Sequence, residues 1–332
     1  MTRGPRLPCR QGEPALQSKL HVDKVITTVN SPSAAAHSPL AASWRRSATR
    51  HGHDPSDSRV AERLGQTDVE CHRERLERFI RVATPRLDLL FGLVGLSGCG
   101  VFLTDDAGLV LDRRVADGDA AAFDGWGLGI GADWSEASEG TNGIGTCIAE
   151  MRRVTIHRDE HFFVRNIGMS CLDAPIFGPD GGLLAALDVS SARVDQTGAY
   201  NRLIGAMVAQ AAQAIEADFF RASFPDARIV VADSDNIDGS VLLAVDGDDL
   251  IVGATRGARR TFGLEQKGAL KLRPASDVLG RADGPVGFEK AERAAVIRAL
   301  ARAEGNVSKA ARGLGIGRAT LYRRMKRLGI GE

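Results

Sequence analysis

The chain has 332 residues, enough for two or three domains with cores of their own, and its formal charge of +1 conceals a segregation. Lys290 to Glu332 holds eleven Lys/Arg against three Asp/Glu, or +8, which leaves −7 on Met1 to Glu289. No run of eighteen apolar residues occurs, and no apolar segment follows the basic start MTRGPRLPCRQ, so the sequence supports neither a membrane span nor a secretory signal. Cys9, Cys71, Cys99, Cys147 and Cys171 make no CxxC pair, which argues against a disulfide framework and for a reducing, cytoplasmic setting.

Residues 1–40 are rich in Pro, Ser, Ala, Gly and Gln without period, and the expectation is disorder, with a short amphipathic piece near Leu20 to Val29. Residues 41–84 open at SWRRSATRHG and lead into a helical row of Leu76, Phe79, Ile80, Ala83, Leu87, Leu90, Phe91 and Val94. Pro85 is expected to bend or break that helix. Short strands follow at VFLTDD, AGLVLDRR, RRVTIH, DAPIFG and GLLAALDVSS, with turns at DDAG and GPDGG. A helix from Gly198 to Phe220 carries Ile204, Val208, Ala211, Ile215 and Phe219, a row that either packs on the sheet or forms a dimer seam. The fold class is therefore α+β, with a sensor-sized domain over residues 85–220. Residues 228–263 read as a partial hairpin-helix unit, and 264–287, with two prolines and four glycines, as a linker.

Residues 288–332 predict three helices. The first runs from Glu289 to Glu304 with Ala294, Ile297, Leu300 and Ala301 inward; Asn306 caps a second whose inward residues are Val307, Ala310, Ala311 and Leu314. A turn bracketed by Gly315 and Gly317 leads to a third, Arg318 to Leu328, heavily basic on its outer side. This is the pattern of a helix-turn-helix. Its geometry aims Arg318 and Thr320 at base edges of double-stranded DNA, with Arg323 on the same face one turn later and Tyr322 also outward, and places Arg324, Lys326 and the backbone amides near Asn306 and Ser308 for phosphates.

The body's densest polar stretch is GADWSEASEGTNGIGTCIAE, Gly131 to Glu150. GTNGIG is no dinucleotide fingerprint, because no apolar strand enters it. Trp134, Glu136, Thr141 and Asn142, joined by His161 and Cys171, have the composition of a pocket for a small-molecule effector. Cys147, His157, His161 and Cys171 follow the spacing C-x9-H-x3-H-x9-C, which lacks the tight intervals of a zinc site, and no metal or cofactor is assigned.

The tail resembles the C-terminal domain of the Fis family through Gly305, Asn306, Ser308, Ala310, Ala311, Leu314, Gly315, Ile316, Arg318, Thr320, Leu321, Tyr322, Arg323, Met325 and Lys326. It departs at Gly317, where that family usually has Ser or Asn. The body resembles the GAF domain of the acetoin-catabolism-regulator group of bacterial enhancer-binding activators. The residues that carry this are Trp134, Ser135, Glu136, Gly140, Thr141, Asn142, Ile144, Gly145 and Thr146, then Glu160, His161 and Phe162, then Ser170, Cys171, Ala174, Pro175 and Ile176. The SWRR segment and a truncated PAS-like unit over 228–263 complete that pattern. The resemblance implies a homodimeric transcription regulator that is not an enzyme, with DNA and an effector as partners, and RNA polymerase or a related regulator beyond them.

Members of that group usually carry an ATPase between sensor and DNA reader. No GxxxxGK followed by Ser or Thr occurs here, and the 24 residues from Leu264 to Gly287 cannot hold such a domain. DNA binding without ATP hydrolysis is the expectation. The alternatives are a thiol-dependent enzyme using Cys147 or Cys171, and an inhibitory partner of full-length sigma-N activators.

Overall fold

The computed structural model describes residues 13–60, 63–191, 193, 197–232, 239–247, 249–280, 287–303 and 305–330. The chain divides into two compact units, Met1–Val245 with Val252–Lys271, and Asp246–Ile251 with Leu272–Glu332.

The first unit is built on a five-stranded sheet. Its strands are β1 (Cys99–Thr104), β2 (Val110–Arg114), β3 (Val154–His157), β4 (Ser170–Phe177) and β5 (Leu183–Ser191), in the order β2-β1-β5-β4-β3. The pairs recorded in it are antiparallel, and alternation sends Leu172, Ala174 and Ile176 of β4 to one face and Cys171 and Asp173 to the other. The first face is covered by the Glu77–Val94 and Gly198–Ser223 helices, whose Phe79, Ile80, Leu87, Ile204, Val208 and Ile215 fill the main core. The row on the closing helix thus packs inward, with Phe79 and Phe219 in edge contact at 5.3 Å. The opposite face is covered by the Gly143–Glu150 helix and an apolar cluster around Phe102, Phe123, Trp134 and Met169.

Two expectations change in this unit. Pro85 lies inside an unbroken Glu77–Val94 helix, and the interruption falls at Leu76, after a separate Gln66–Arg75 helix. Burial of Phe79, Ala83, Leu87 and Leu90 on the sheet outweighs the backbone hydrogen bond that proline forgoes. Of residues 1–40, expected to be disordered apart from an amphipathic piece near Leu20 to Val29, 1–12 lie outside the described residues; in the remainder that piece is part of a longer Glu13–Asn30 helix, and Ala34–His37 precedes a Pro39–Arg45 helix. Val25 and Trp44 pack with Phe162 and Phe163, so this segment finds its apolar partners more than a hundred residues away.

After the Gly198–Ser223 helix come β6 (Arg228–Val231), β7 (Leu242–Val245) and β8 (Ile251–Ala254), in the order β6-β7-β8, and the Arg256–Thr261 helix. The Arg259 guanidinium is buried and donates to the carbonyls of Ala254, Pro179 and Glu265. Within the segment 264–287, Leu264 is buried and a short Ala275–Val278 helix forms.

The second unit carries three helices, Phe288–Arg302, Val307–Gly313 and Arg318–Arg327, around Val296, Ala303, Ala310, Ala311, Leu321 and Leu328. Among the described side chains of the first helix Val296 is the buried one, the neighbouring Ile297, expected inside, is exposed, and Ala301, also expected inside, lies outside the described side chains. Asn306 caps the second helix, its side chain accepting from Lys309 N at 3.0 Å.

Candidate functional site

The conspicuous WSE and GTN residues of the body form a receptacle for the SWRRS segment. The Glu136 carboxylate receives Arg46 Nε and Nη2, each at 2.8 Å, Ser43 Oγ at 2.6 Å and Thr146 Oγ1 at 2.9 Å. Thr141 meets Ser43 at 2.7 Å and Ser47 at 3.1 Å, so Glu136 and Thr141 are engaged mainly with side chains of the Ser43–Ser47 segment. Asn142 is a helix cap: its Oδ1 accepts from Gly145 N at 2.8 Å while its Nδ2 donates to Gly140 O at 2.9 Å. Trp134 is buried in the apolar cluster.

The glycines of GTNGIGT serve close approach. A Cβ on Gly143 would lie 2.0 Å from Asp173 Oδ2 and 2.4 Å from Cys171 Cβ, and one on Gly145 would lie 2.5 Å from Glu136 N. The helix therefore descends onto the sheet at these two points, over a buried polar group.

That group joins His161, Cys171, Asp173, Asp188 and Ser190. His161 Nδ1 lies 3.0 Å from Arg158 O and donates to it, which leaves Nε2 to accept the Cys171 thiol at 3.4 Å. Burial holds the His161 pKa down at about 4, and burial with the nearby Asp188 and Asp173 holds Cys171 well above the ordinary thiol value. The pair is a neutral imidazole and a protonated thiol. Ser190 Oγ donates to Asp188 Oδ2 at 2.8 Å and sits 3.1 Å from Cys171 Sγ. Asp173 and Asp188 are cross-strand partners; burial pushes Asp188 up to about 7, and burial together with the charge of Asp188 pushes Asp173 well above the carboxylate range.

His157 turns elsewhere, to Ser170 Oγ at 2.7 Å and Asn201 Nδ2 at 3.1 Å, while Cys147 packs with Val154 and Ala186. Among the described residues no group of three or more His, Cys, Asp or Glu side chains is arranged to hold a metal ion.

Beside the edge strand β3 lies a cleft of about 610 Å³ lined by Leu40, Thr146, Glu160, Asp173, Asn201, Arg202 and neighbouring residues. None of Trp134, Glu136, Thr141, Asn142, His161 and Cys171 lines it. Asp173 and Asn201, missed in the sequence, are buried there, and both Asp173 oxygens and Asn201 Oδ1 accept no hydrogen bond among the described residues. The available signal was alternation: Cys171 and Asp173 on β4, with Asp188 and Ser190 on β5, place one polar face of the sheet beneath GTNGIGT.

In the second unit, Arg318, Tyr322, Arg323, Arg324 and Lys326 are exposed, whereas Ser308 and Thr320 are half-buried. The Arg318 guanidinium sits over the Tyr322 ring, 5.5 Å from its centroid, which holds both at the start of the last helix. Arg324 pairs with Glu292 at 2.9 Å, and Arg327 pairs with the same carboxylate, so these two tie the third helix to the first. Lys309 and Arg312 are further exposed cations on the second helix. Gly317 precedes the third helix with no side-chain cap.

An antiparallel sheet flanked by helices, and a separately cored three-helix unit with a basic last helix, define a sensor-type module joined to a helix-turn-helix. Residues 78–215 match the GAF domain, and residues 287–328 match bacterial regulatory proteins of the Fis family. The chain is homologous to acetoin catabolism regulators. It is 34% identical over 278 residues to the acetoin catabolism regulatory protein of Cupriavidus necator, covering 80% of this chain and 41% of that one. It is 29% identical over 145 residues to the acetoin dehydrogenase operon transcriptional activator AcoR of Bacillus subtilis, covering 43% of this chain and 23% of that one. The chain thus spans well under half of these relatives. Among solved structures, the E. coli DhaR(N)–DhaL complex shares the fold, with a TM-score of 0.50 at 15% identity over 72% of this chain and 80% of that one. No helix among the described residues is long and apolar enough to cross a membrane.

Proposed function

We propose that this protein is a cytoplasmic transcription regulator whose GAF body senses a small molecule and whose helix-turn-helix binds operator DNA as a homodimer. The observation that carries the reading is the Arg318–Arg327 helix, which presents Arg318, Tyr322, Arg323 and Lys326 to solvent from a core of its own. Arg318 and Arg323 meet base edges, with Thr320 and Tyr322 alongside, while Asn306, Ser308, Arg324 and Lys326 contact phosphates. No P-loop accompanies these modules, so regulation proceeds without ATP hydrolysis. Catalysis is not part of this reading, and the protonated state that burial imposes on Cys147 and Cys171 supports it.

The effector belongs in the cleft at β3, where a small polar molecule pairs with the protonated Asp173 carboxyl and donates to Asn201 Oδ1. Trp134, Glu136, Thr141, Asn142, His161 and Cys171 act from behind that wall, by holding the N-terminal segment and the floor of the sheet in place. Leu89, Leu93, Leu96 and Leu203, exposed on the Glu77–Val94 helix, just beyond it and on the closing helix, support a second copy as their cover. RNA polymerase or a longer homologue is a further partner. The 34% identity that runs along 80% of the chain favours the longer homologue, and copurification of the two proteins tests it.

Electrophoretic shift with fragments of the adjoining promoter region tests the main reading. Saturable, sequence-selective binding is expected, weakened about a hundredfold in the Arg318→Ala/Arg323→Ala variant. Binding unaffected by that double substitution sinks it.

A further inference from the structure

A second cavity, of about 300 Å³, lies between β4, the Gly198–Ser223 helix and the Arg256–Thr261 helix. Pro175, Ala212 and Val241 give it apolar walls, and Glu216, Arg256 and Arg260 are among its polar groups. The Arg256 guanidinium stacks 4.0 Å from the centroid of Phe177 and is half-buried. Arg260 lies one helical turn further on the same side and is exposed. Neither arginine has a carboxylate partner within salt-bridge distance among the described residues. Two neighbouring guanidinium groups without a counter-ion are unfavourable, and burial and the charge of Arg260 hold Arg256 below the ordinary guanidinium pKa.

Glu216, at the inner end, attracts Arg256 but forms no salt bridge with either arginine. Its Oε2 accepts from Phe177 N at 3.1 Å, and burial pushes its pKa up to about 7, against the lowering effects of that bond and of Arg256. In its neutral form it offers a proton to an anionic oxygen. Arginine stacked on an aromatic face presents its donor fork in a fixed orientation, the arrangement suited to a carboxylate or phosphate head.

We propose that this cavity binds a small organic anion whose carboxylate or phosphate head is held by Arg256 and Arg260 and whose apolar part lies against Pro175 and Ala212. The site is distinct from the cleft at β3 and does not depend on an effector there. Arg152 and Arg153 stand at the rim of both cavities. These two and the pair on the Arg256–Thr261 helix are the charged groups lining the cavity with Glu216.

Calorimetric titration of the full chain with sodium succinate, inorganic phosphate and the uncharged succinamide tests the proposal. Succinate or phosphate is expected to bind saturably with one site per chain, and succinamide not to bind; whichever anion binds tells a carboxylate site from a phosphate site. Arg256→Gln and Arg260→Gln should each weaken binding about tenfold. The basic C-terminal tail is intact in both variants, so any signal from it persists, and Arg260, being exposed, can be replaced without disturbing the core. Succinate binding should weaken as pH rises through about 7, and Glu216→Gln should remove that dependence while retaining the site; phosphate, whose own protonation changes in that range, is not used for this arm. No saturable binding of either anion, or equal binding by wild type and by the Arg260→Gln variant, overturns the proposal.

Discussion

In the tail, Arg318 and Arg323 stand exposed on a helix whose tie to the first helix of the unit, Arg293 to the Leu328 carbonyl, spans 35 positions. In the body, Glu136 is buried and its partners Arg46 and Ser43 come from 90 and 93 positions away. The tail displays its polar residues on a core assembled from neighbours in sequence. The body uses them as internal fastenings between segments that only the complete fold brings together. A motif rich in hydrogen-bonding groups therefore has two physical meanings, and in these two motifs exposure separates them: Arg318 and Arg323 face outward with no carboxylate partner among the described residues, while Glu136 and Thr141 face inward and have theirs.

The fastening at Glu136 is the sharpest place to break this contrast. Glu136→Ala removes the main partner of the Arg46 guanidinium, which keeps Glu150 at 3.2 Å, and one acceptor each from Ser43 and Thr146, and should destabilise the body by about 2 kcal/mol. Limited proteolysis should then cut near Arg45, Arg46 and Arg50 while DNA affinity stays close to wild type. Unchanged denaturant stability would mean the receptacle is incidental. Gly143→Ala comes next, at about 2–3 kcal/mol, because the added methyl meets Asp173 and Cys171 at the sheet; urea unfolding measures it.

The buried carboxyls give the third test. Asp188 titrates at about 7 in the fold, far above its ordinary value, so between those limits the native state holds a proton that the unfolded chain has released. Stability from this source is complete below about pH 4 and declines as pH rises through about 7. Stability of the wild type should fall by several kcal/mol between pH 5 and pH 8 in thermal melts, about 2–3 kcal/mol from Asp188 and a similar amount from Glu216 in the same window. Asp188→Asn should flatten the profile by about half. An equally steep profile in that variant would assign the dependence elsewhere.

How legible each region was follows from the same contrast. Asn306 as a cap, Leu321 and Leu328 as core and the basic outer face of the last helix could all be read from three- and four-residue spacing. The exception, Val296 buried in place of Ile297, is one step around a helix, smaller than such spacing resolves when both neighbours are apolar. The five strands of the body were readable from alternation and turns. The cleft was not, since Asp173 and Asn201 lie on a strand and a helix distant in sequence, and only packing leaves their oxygens without donors. Residues 13–40 failed for a related reason. Composition counts the apolar surface a segment owns, not the Phe162 and Phe163 surface that awaits it elsewhere.

Gly317 offers the smallest effect and the finest test of how far the tail is a local structure. Its backbone, with φ −69° and ψ 147°, is already that of a capping residue, and an added Cβ would meet only Thr320 Oγ1, at 3.7 Å. A serine there can accept from the Thr320 amide as Asn306 accepts from Lys309 three residues on. The gain over glycine should be a few tenths of a kcal/mol, seen as slower hydrogen exchange in the first turn of the Arg318–Arg327 helix with exchange in the body untouched. If the serine also touches a backbone phosphate, DNA affinity rises modestly at low salt and the advantage fades as salt is added. Protection that spreads into the sheet of the body would show that the two regions are energetically coupled, and the separation between displayed and fastened polar residues would then be one of degree.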